Sequence, residues 1–178
     1  MSTLQLTSND IATQETNGTE IEFATFLVGD LWLGIDIQQI QEINQHLDVA
    51  PVPRAPDCVH GVINLRGDVV TVVDLHTVLG LEAHKINSSC RNVVVNYEGE
   101  KIGLLVDAVG DVFIANESQI DPPPVNLGGV SSRFLRGVYQ TDTKLFGILD
   151  TNEAMLTSAE NQTELNGTGG PGDDLENN

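Results

Sequence analysis

The sequence predicts an all-β fold of two small five-stranded barrels packed together, with short helical turns, and three observations predict it. Val, Ile, Leu and Thr come in short runs broken by Gly, Asp, Asn and Pro, the signature of short strands. Long helical periodicity is missing. The whole pattern also occurs twice, with a repeat of about 65 residues, far longer than a solenoid unit.

In chain order, "FATFLV" and "LWLGI" form a hairpin across a glycine turn and end at Asp36. A proline cluster follows (Pro51, Pro53, Pro56), then "GVINLRGDVVTVVDL", which is a second hairpin with Arg66-Gly67 at its tip. Asp74 opens a short apolar turn, "DLHTVLGL". The second half repeats the order: "RNVVVNY" and "KIGLLVD" to Asp107, prolines 122 to 124, Leu-Arg-Gly at 135–137, then "KLFGILD" to Asp150. This alignment sets Arg136 opposite Arg66. About five short strands cannot form a sandwich, so each half is expected to curl into a barrel that hides its edges. The expected organisation is a first barrel at about 22–82 and a second at about 91–156, joined through "EAHKINSSC". Phe26 and Trp32, in the first two strands, are expected to be packing residues.

Charge narrows the function. The chain of 178 residues carries a formal charge of −18, and all eight Lys and Arg lie between Arg54 and Lys144. Residues 1–21 and 158–178 read as acidic, disordered tails around a folded 22–157. Nucleic acid is excluded as a partner, since phosphate binding needs a basic patch. No stretch is long and apolar enough for membrane insertion, and the start has no signal-peptide pattern, so a cytoplasmic location is expected. Cys58 and Cys90 have no C-x-x-C spacing and read as reduced structural thiols.

Four aspartates, Asp36, Asp74, Asp107 and Asp150, invite comparison with the paired carboxylates of an aspartic-protease-like hydrolase. Each sits where an apolar strand ends and a turn begins, which is the N-cap position. No Asp-Thr-Gly is present, and "LDTNE" has Asn where such a loop needs glycine. Capping is the better reading. The histidines His46, His60, His76 and His84 have no metal-ligand spacing, and neither a nucleophile elbow nor a phosphate loop occurs. No catalytic residue, metal or cofactor is expected.

Arg66 is the more telling residue. Only the first half supplies an acid, Glu42, at the strand position after its first aspartate; the second has Phe113 there. A bidentate Arg–Glu contact would suit a recognition surface.

Five segments in order, "FLVGDLWLGIDIQQIQEI", "APVPRAPDCVHGVINLRGDVVTVVDL", "GLLVDAVGDV", "IDPPP" and "LRGVYQTDTKLFGILD", resemble the CheW family of bacterial chemotaxis coupling proteins over about residues 22–157. Thr71 departs from the proline common at its place, which the resemblance puts at a strand edge. The resemblance implies a non-enzymatic adaptor of two barrels similar to SH3 barrels. Its implied partners are the cytoplasmic tip of methyl-accepting chemoreceptors and the regulatory domain of the chemotaxis histidine kinase. Receptor coupling is implied for Ile40, Glu42, Gly61 and Arg66, and kinase contact for Val49. A CheW-like scaffold serving a pilus-motility or surface-sensing array is the alternative.

Overall fold

The computed structural model of the chain describes residues 18–45, 47–82 and 85–166, with side chains up to residue 159. His46, His84 and the outer parts of both expected tails lie outside the described residues. Twelve strands run in the order β1 (Glu20–Val28), β2 (Leu31–Asp36), β3 (Ile40–Asn44), β4 (Val59–Leu65), β5 (Asp68–Asp74), β6 (Arg91–Tyr97), β7 (Glu100–Val106), β8 (Ala108–Asn116), β9 (Asn126–Leu127), β10 (Val130–Ser131), β11 (Leu135–Gln140) and β12 (Leu145–Leu149). Helix α1 (Leu75–Leu79) follows β5, and helix α2 (Thr151–Asn166) follows β12.

Two five-stranded sheets carry the fold, with orders β3-β6-β7-β5-β4 and β8-β1-β2-β12-β11. The two orders correspond strand for strand under the duplication. Each sheet's open ends are tied by one bridge. Ala50, beyond β3, exchanges two hydrogen bonds with Val62 on β4, at 2.8 and 2.9 Å. Asp121 and Val138 exchange two of 2.9 Å in the other sheet. The bridges satisfy edge groups that would otherwise be open to pairing, so both sheets close as small barrels.

The barrels are not the two halves in sequence. A central barrel uses β3 to β7 as one continuous stretch, Ile40–Val106, and a terminal barrel combines β1 and β2 with β8, β11 and β12. The expected division at 22–82 and 91–156 is therefore corrected: the first hairpin of each half crosses to the other half's strands. Parallel pairing of β2 with β12 and of β5 with β7 makes the exchange possible. Repeat periodicity locates equivalent segments but says nothing about which copy they pair with.

Burial shows why the barrels hold as one unit. The largest apolar cluster lies between them, joining Phe26, Val28, Leu33 and Ile35 of the terminal barrel to Val93, Val95, Leu104 and Val106 of the central one. Ala154 and Met155 of α2 also enter it. Each barrel interior is a smaller cluster: Ile63, Leu65, Val70, Val72, Val94 and Leu105 in one, Phe23, Ala115, Phe146 and Ile148 in the other. Phe26 is fully buried as expected. Trp32 is half-buried against the terminal interior, with the Lys144 ammonium 4.5 Å above its ring.

Other boundaries shift. Strand pairing begins at Glu20, and α2 continues to Asn166 with Ser158 buried, so residues on the inner side of both expected tails belong to the fold. Thr71 pairs with Val62 on one side and Ile102 on the other, which places it on an inner strand rather than an edge.

Candidate functional site

The Arg66 corner is built by a hairpin and a neighbouring strand. Leu65 pairs with Asp68, leaving Arg66 and Gly67 as a two-residue loop with φ of 55° and 97°. Two successive positive φ values are the type I′ geometry whose twist matches a hairpin. The Gly67 amide donates to Asn64 Oδ1 at 3.0 Å and fixes the turn. The β6–β7 hairpin uses the same device, with Glu98 and Gly99 at positive φ and Asn96 Oδ1 accepting from Gly99. Arg66's backbone is thus ordinary turn chemistry, and its side chain, 89% exposed, is what distinguishes it.

Glu42 reaches the corner from β3. Its carboxylate is 31% exposed, and Oε2 lies 3.7 Å from Arg66 Nη2. The expected bidentate pair is corrected to this single long contact; Oε1 is taken by the Asn44 side-chain amide at 3.1 Å. Beside it, Lys101 pairs with Asp68, and the lysine holds the Asp68 carboxyl below its usual range. Gln41, Leu65 and Val94 complete the walls of a cleft of about 200 Å³. Arg66's guanidinium therefore stands at the rim of a small charged cleft, loosely held and accessible.

The other predicted residues do not join this corner. Glu42 pairs with Val94 of the barrel interior, whereas Ile40 pairs with Val95 of the inter-barrel cluster and packs there. A bulge at Gln41 separates them, so Ile40 and Glu42 project on opposite sides of β3. Gly61 is buried at φ 151°, and a Cβ there would come within 2.4 Å of the Ala50 oxygen and 2.5 Å of Val49 Cγ1. Gly61 and Val49, expected in two different partner contacts, are thus packed against each other, and Val49 lies half-buried on the central interior. The bridge at Ala50 needs that close approach.

The duplication also aligns differently from the sequence reading. The Asp74 amide bonds the Cys58 carbonyl and the Asp150 amide bonds the Phe134 carbonyl, both at 2.8 Å. Gly61 and Gly137 occupy equal places beside the two closing bridges. That register makes His60 the counterpart of Arg136, and it puts Asp142, not an arginine, at Arg66's place. Arg136 lies at a bulge in β11 and lines a separate cavity of about 240 Å³ with Ile21, Asp36 and Glu117. The shared Leu-Arg-Gly triplet misled because it is six residues out of structural register.

Three of the four aspartates cap as expected: Asp36 accepts from Gln38, Asp74 from His76, and Asp150 from Asn152 and Glu153. Asp107 reaches across to the other barrel's hairpin, accepting the Gly29 amide at 2.7 Å, and lies against the His76 ring. Cys58 and Cys90 are buried; the Cys58 thiol lies 3.8 Å from the Ser158 carbonyl, and Cys90 Sγ accepts the Asn87 amide at 3.3 Å. Among the described residues no cluster of metal-binding side chains occurs, and no helix is long and apolar enough to cross a membrane. Sequence reasoning missed Asp68 and Lys101, whose pairing across β5 and β7 depends on the exchanged strands, and the exposed Val112 and Ile114 on edge strand β8.

The chain thus presents two paired barrels with an exposed ionic corner on the central one. A family model described as the CheW-like domain matches residues 22–159. The chain is 29% identical to the chemotaxis protein CheW of Treponema pallidum over 84% of its own length and 90% of that relative. It is 33% identical to the chemotaxis protein CheW of Rhizobium meliloti, covering 76% and 86%. Among solved structures, the scaffolding protein TtCheW from Thermoanaerobacter tengcongensis aligns with a TM-score of 0.69 at 30% identity, covering 74% of this chain and 90% of that one. The chain belongs to the CheW family of chemotaxis scaffold proteins, which are not enzymes.

Proposed function

We propose that this protein couples methyl-accepting chemoreceptors to the chemotaxis histidine kinase, binding the receptor's cytoplasmic tip and the kinase's regulatory domain. It works in the cytoplasm and is recruited to membrane-associated receptor arrays. Within the molecule, the observation that carries this reading is the Arg66 corner. A guanidinium held by one 3.7 Å contact on a fixed turn is free to meet a partner carboxylate without first breaking a strong pair. Arg66 and Glu42 face the receptor in this reading, Ile40 and Gly61 shape the same barrel, and Val49 serves kinase contact. An adaptor touching both partners transmits a receptor shift as a change in kinase populations, which needs linkage and no chemistry.

The test is a reconstituted assay of kinase activity with receptor and the full chain. Arg66→Ala is expected to abolish receptor-dependent activation while the protein stays folded, and Arg136→Ala to leave activation largely intact. Full activation by folded Arg66→Ala removes the corner from the site. Recovery from native cells of pilus or surface-sensing components in place of chemoreceptors moves the protein to the other kind of array.

A further inference from the structure

Away from the Arg66 corner, the two barrels differ in how their interiors are closed. In the central barrel Val72 and Cys90 are fully buried, and Val49 and Leu47 pack against the same cluster. Under the duplication the places of Val72, Cys90 and Val49 are held in the terminal barrel by Ile148, Ile21 and Ile120. There the three isoleucines line a cavity of about 240 Å³. The chain between β3 and its closing bridge brings Leu47 inward, whereas the chain between β8 and its bridge forms the polar turn Glu117–Gln119, which buries none of its residues. An interior plugged in one barrel is thus open to the surface in the other.

The lining of this cavity is chemically divided. Phe23 and Ile148, 2% and 3% exposed, are the buried part of its apolar wall. Asp36, Glu117 and Arg136 line it as well, yet Arg136 forms no ion pair among the described residues. Ile21, Asp36 and Glu117 also line an adjoining groove of about 590 Å³, into which Glu20 and Glu22 of β1 bring two more carboxylates. Four acids and one arginine therefore surround the opening. Grouped charge of one sign beside a low-dielectric wall attracts the opposite charge, here a cation.

We propose that this part of the terminal barrel docks a short basic segment of a partner protein, with one large apolar side chain in the cavity and flanking lysines or arginines against the acids. Size favours a side chain over a free small molecule. At about 240 Å³ the cavity lies below the roughly 300 Å³ at which small-molecule pockets begin, and it suits a single anchor residue. An apolar anchor in a pocket with a charged rim is the usual form of a binding hot spot. The acids on the groove side take the segment's cations. Arg136, which lines the cavity and not the groove, has its guanidinium donors available for a main-chain carbonyl of the segment. The surface is on the other barrel from Arg66, and the inference does not rest on the coupling reading.

The probes are two acetylated and amidated peptides, Lys-Lys-Phe-Lys-Lys and the same peptide with alanine at its centre, titrated into the isotope-labelled full chain and followed by methyl NMR. The phenylalanine peptide is expected to move the signals of Ile21, Ile120 and Ile148 and to bind about tenfold more tightly than the alanine peptide. Glu22→Gln with Glu117→Gln, both at exposed positions, is expected to weaken it by roughly threefold or more. Equal binding of the two peptides, or shifts spread over the acidic chain with no focus at the three isoleucines, is bulk charge attraction and overturns the proposal. So does a phenylalanine peptide that leaves those signals unmoved. Two further results also overturn it. Nuclear Overhauser contacts from residues 1–17 to Phe23 in the free chain would give the cavity to the chain's own leading segment, and isoleucine shifts that change with protein concentration would give it to a second copy.

Discussion

The two barrels share strand order and closing bridges, yet equivalent corners do opposite things. In the central barrel, Glu42, Arg66, Asp68 and Lys101 surround a charged cleft. In the terminal barrel the same places hold Asp111, Asp142, Lys144 and Trp32; the expected match of Glu42 with Phe113 is corrected, because Phe113 pairs with Phe23 and so takes the place of Asn44, two residues further along its strand. Phe113 stacks 5.6 Å from Phe146, and Lys144 covers the Trp32 ring while lying 3.6 Å from Asp111. A duplicated backbone thus carries polar, loosely held groups at one end and packed aromatics at the other. Binding capacity is free to vary where side chains are not needed for packing.

The comparison would break most visibly if the barrels were separable. Phe26 sits in the cluster between them, and truncating a buried aromatic costs about 3–5 kcal/mol. Phe26→Ala is expected to lower stability by that amount in a single urea transition, since both barrels lose the same interface. Two separated transitions, one followed by Trp32 fluorescence and one by far-ultraviolet circular dichroism, would show independent units.

Next in size is the pair of glycines at the closing bridges. At Gly61 an added Cβ meets backbone, the Ala50 oxygen at 2.4 Å, in a positive-φ conformation. At Gly137 the nearest atom is the Ile120 Cγ2, a side chain able to move, with the Asp121 oxygen at 2.8 Å. Overpacking and backbone strain together put Gly61→Ala at roughly 3 kcal/mol, with Gly137→Ala smaller. Equal losses in denaturant titrations would mean the two bridges are set alike and the asymmetry lies only in side chains.

The corners themselves give the sharper contrast. Phe113→Ala is expected to cost about 2 kcal/mol or more, because it removes part of an aromatic cluster. Arg66→Ala should cost under about 1 kcal/mol, as exposed ion pairs do, while ending receptor-dependent activation. Exchanging the charges, Arg66→Glu with Glu42→Arg, separates two roles: restored activation means that the pair shapes the surface, and continued failure in a folded protein means that the partner reads the arginine itself.

Much of this was legible in the sequence, because strand runs, turn glycines and N-cap aspartates are local signals. The Asn64-to-Gly67 turn and the Asp74 cap follow from neighbours within three residues. What was not legible depends on pairing at a distance. Which half each hairpin joins is decided by the parallel contacts of β2 with β12 and β5 with β7, and the sequence has no marker for a partner strand. The same limit explains Arg136, which matches Arg66 in letters while Asp142 matches it in space. His76 meeting Asp107 across 31 positions was beyond reach for that reason as well.

The smallest expected effect concerns Asp68, whose counterpart in the terminal barrel is a lysine. The side-chain hydrogen bond from Lys101, with its charge, holds the Asp68 carboxyl below the ordinary value of 3.8. A carboxylate depressed in the folded state contributes stability at neutral pH and loses it as pH falls through the depressed value. The group is solvent-exposed, so water and salt screen that contribution to almost nothing. Lys101→Ala is therefore expected to return the Asp68 titration, followed by carboxyl NMR, to near 3.8 and leave the denaturation midpoint at neutral pH unchanged. A clear loss of stability would show instead that the Lys101–Asp68 tie braces β5 against β7. The central corner would then be a structural joint like its aromatic twin, and not the loosely held surface that distinguishes the two barrels.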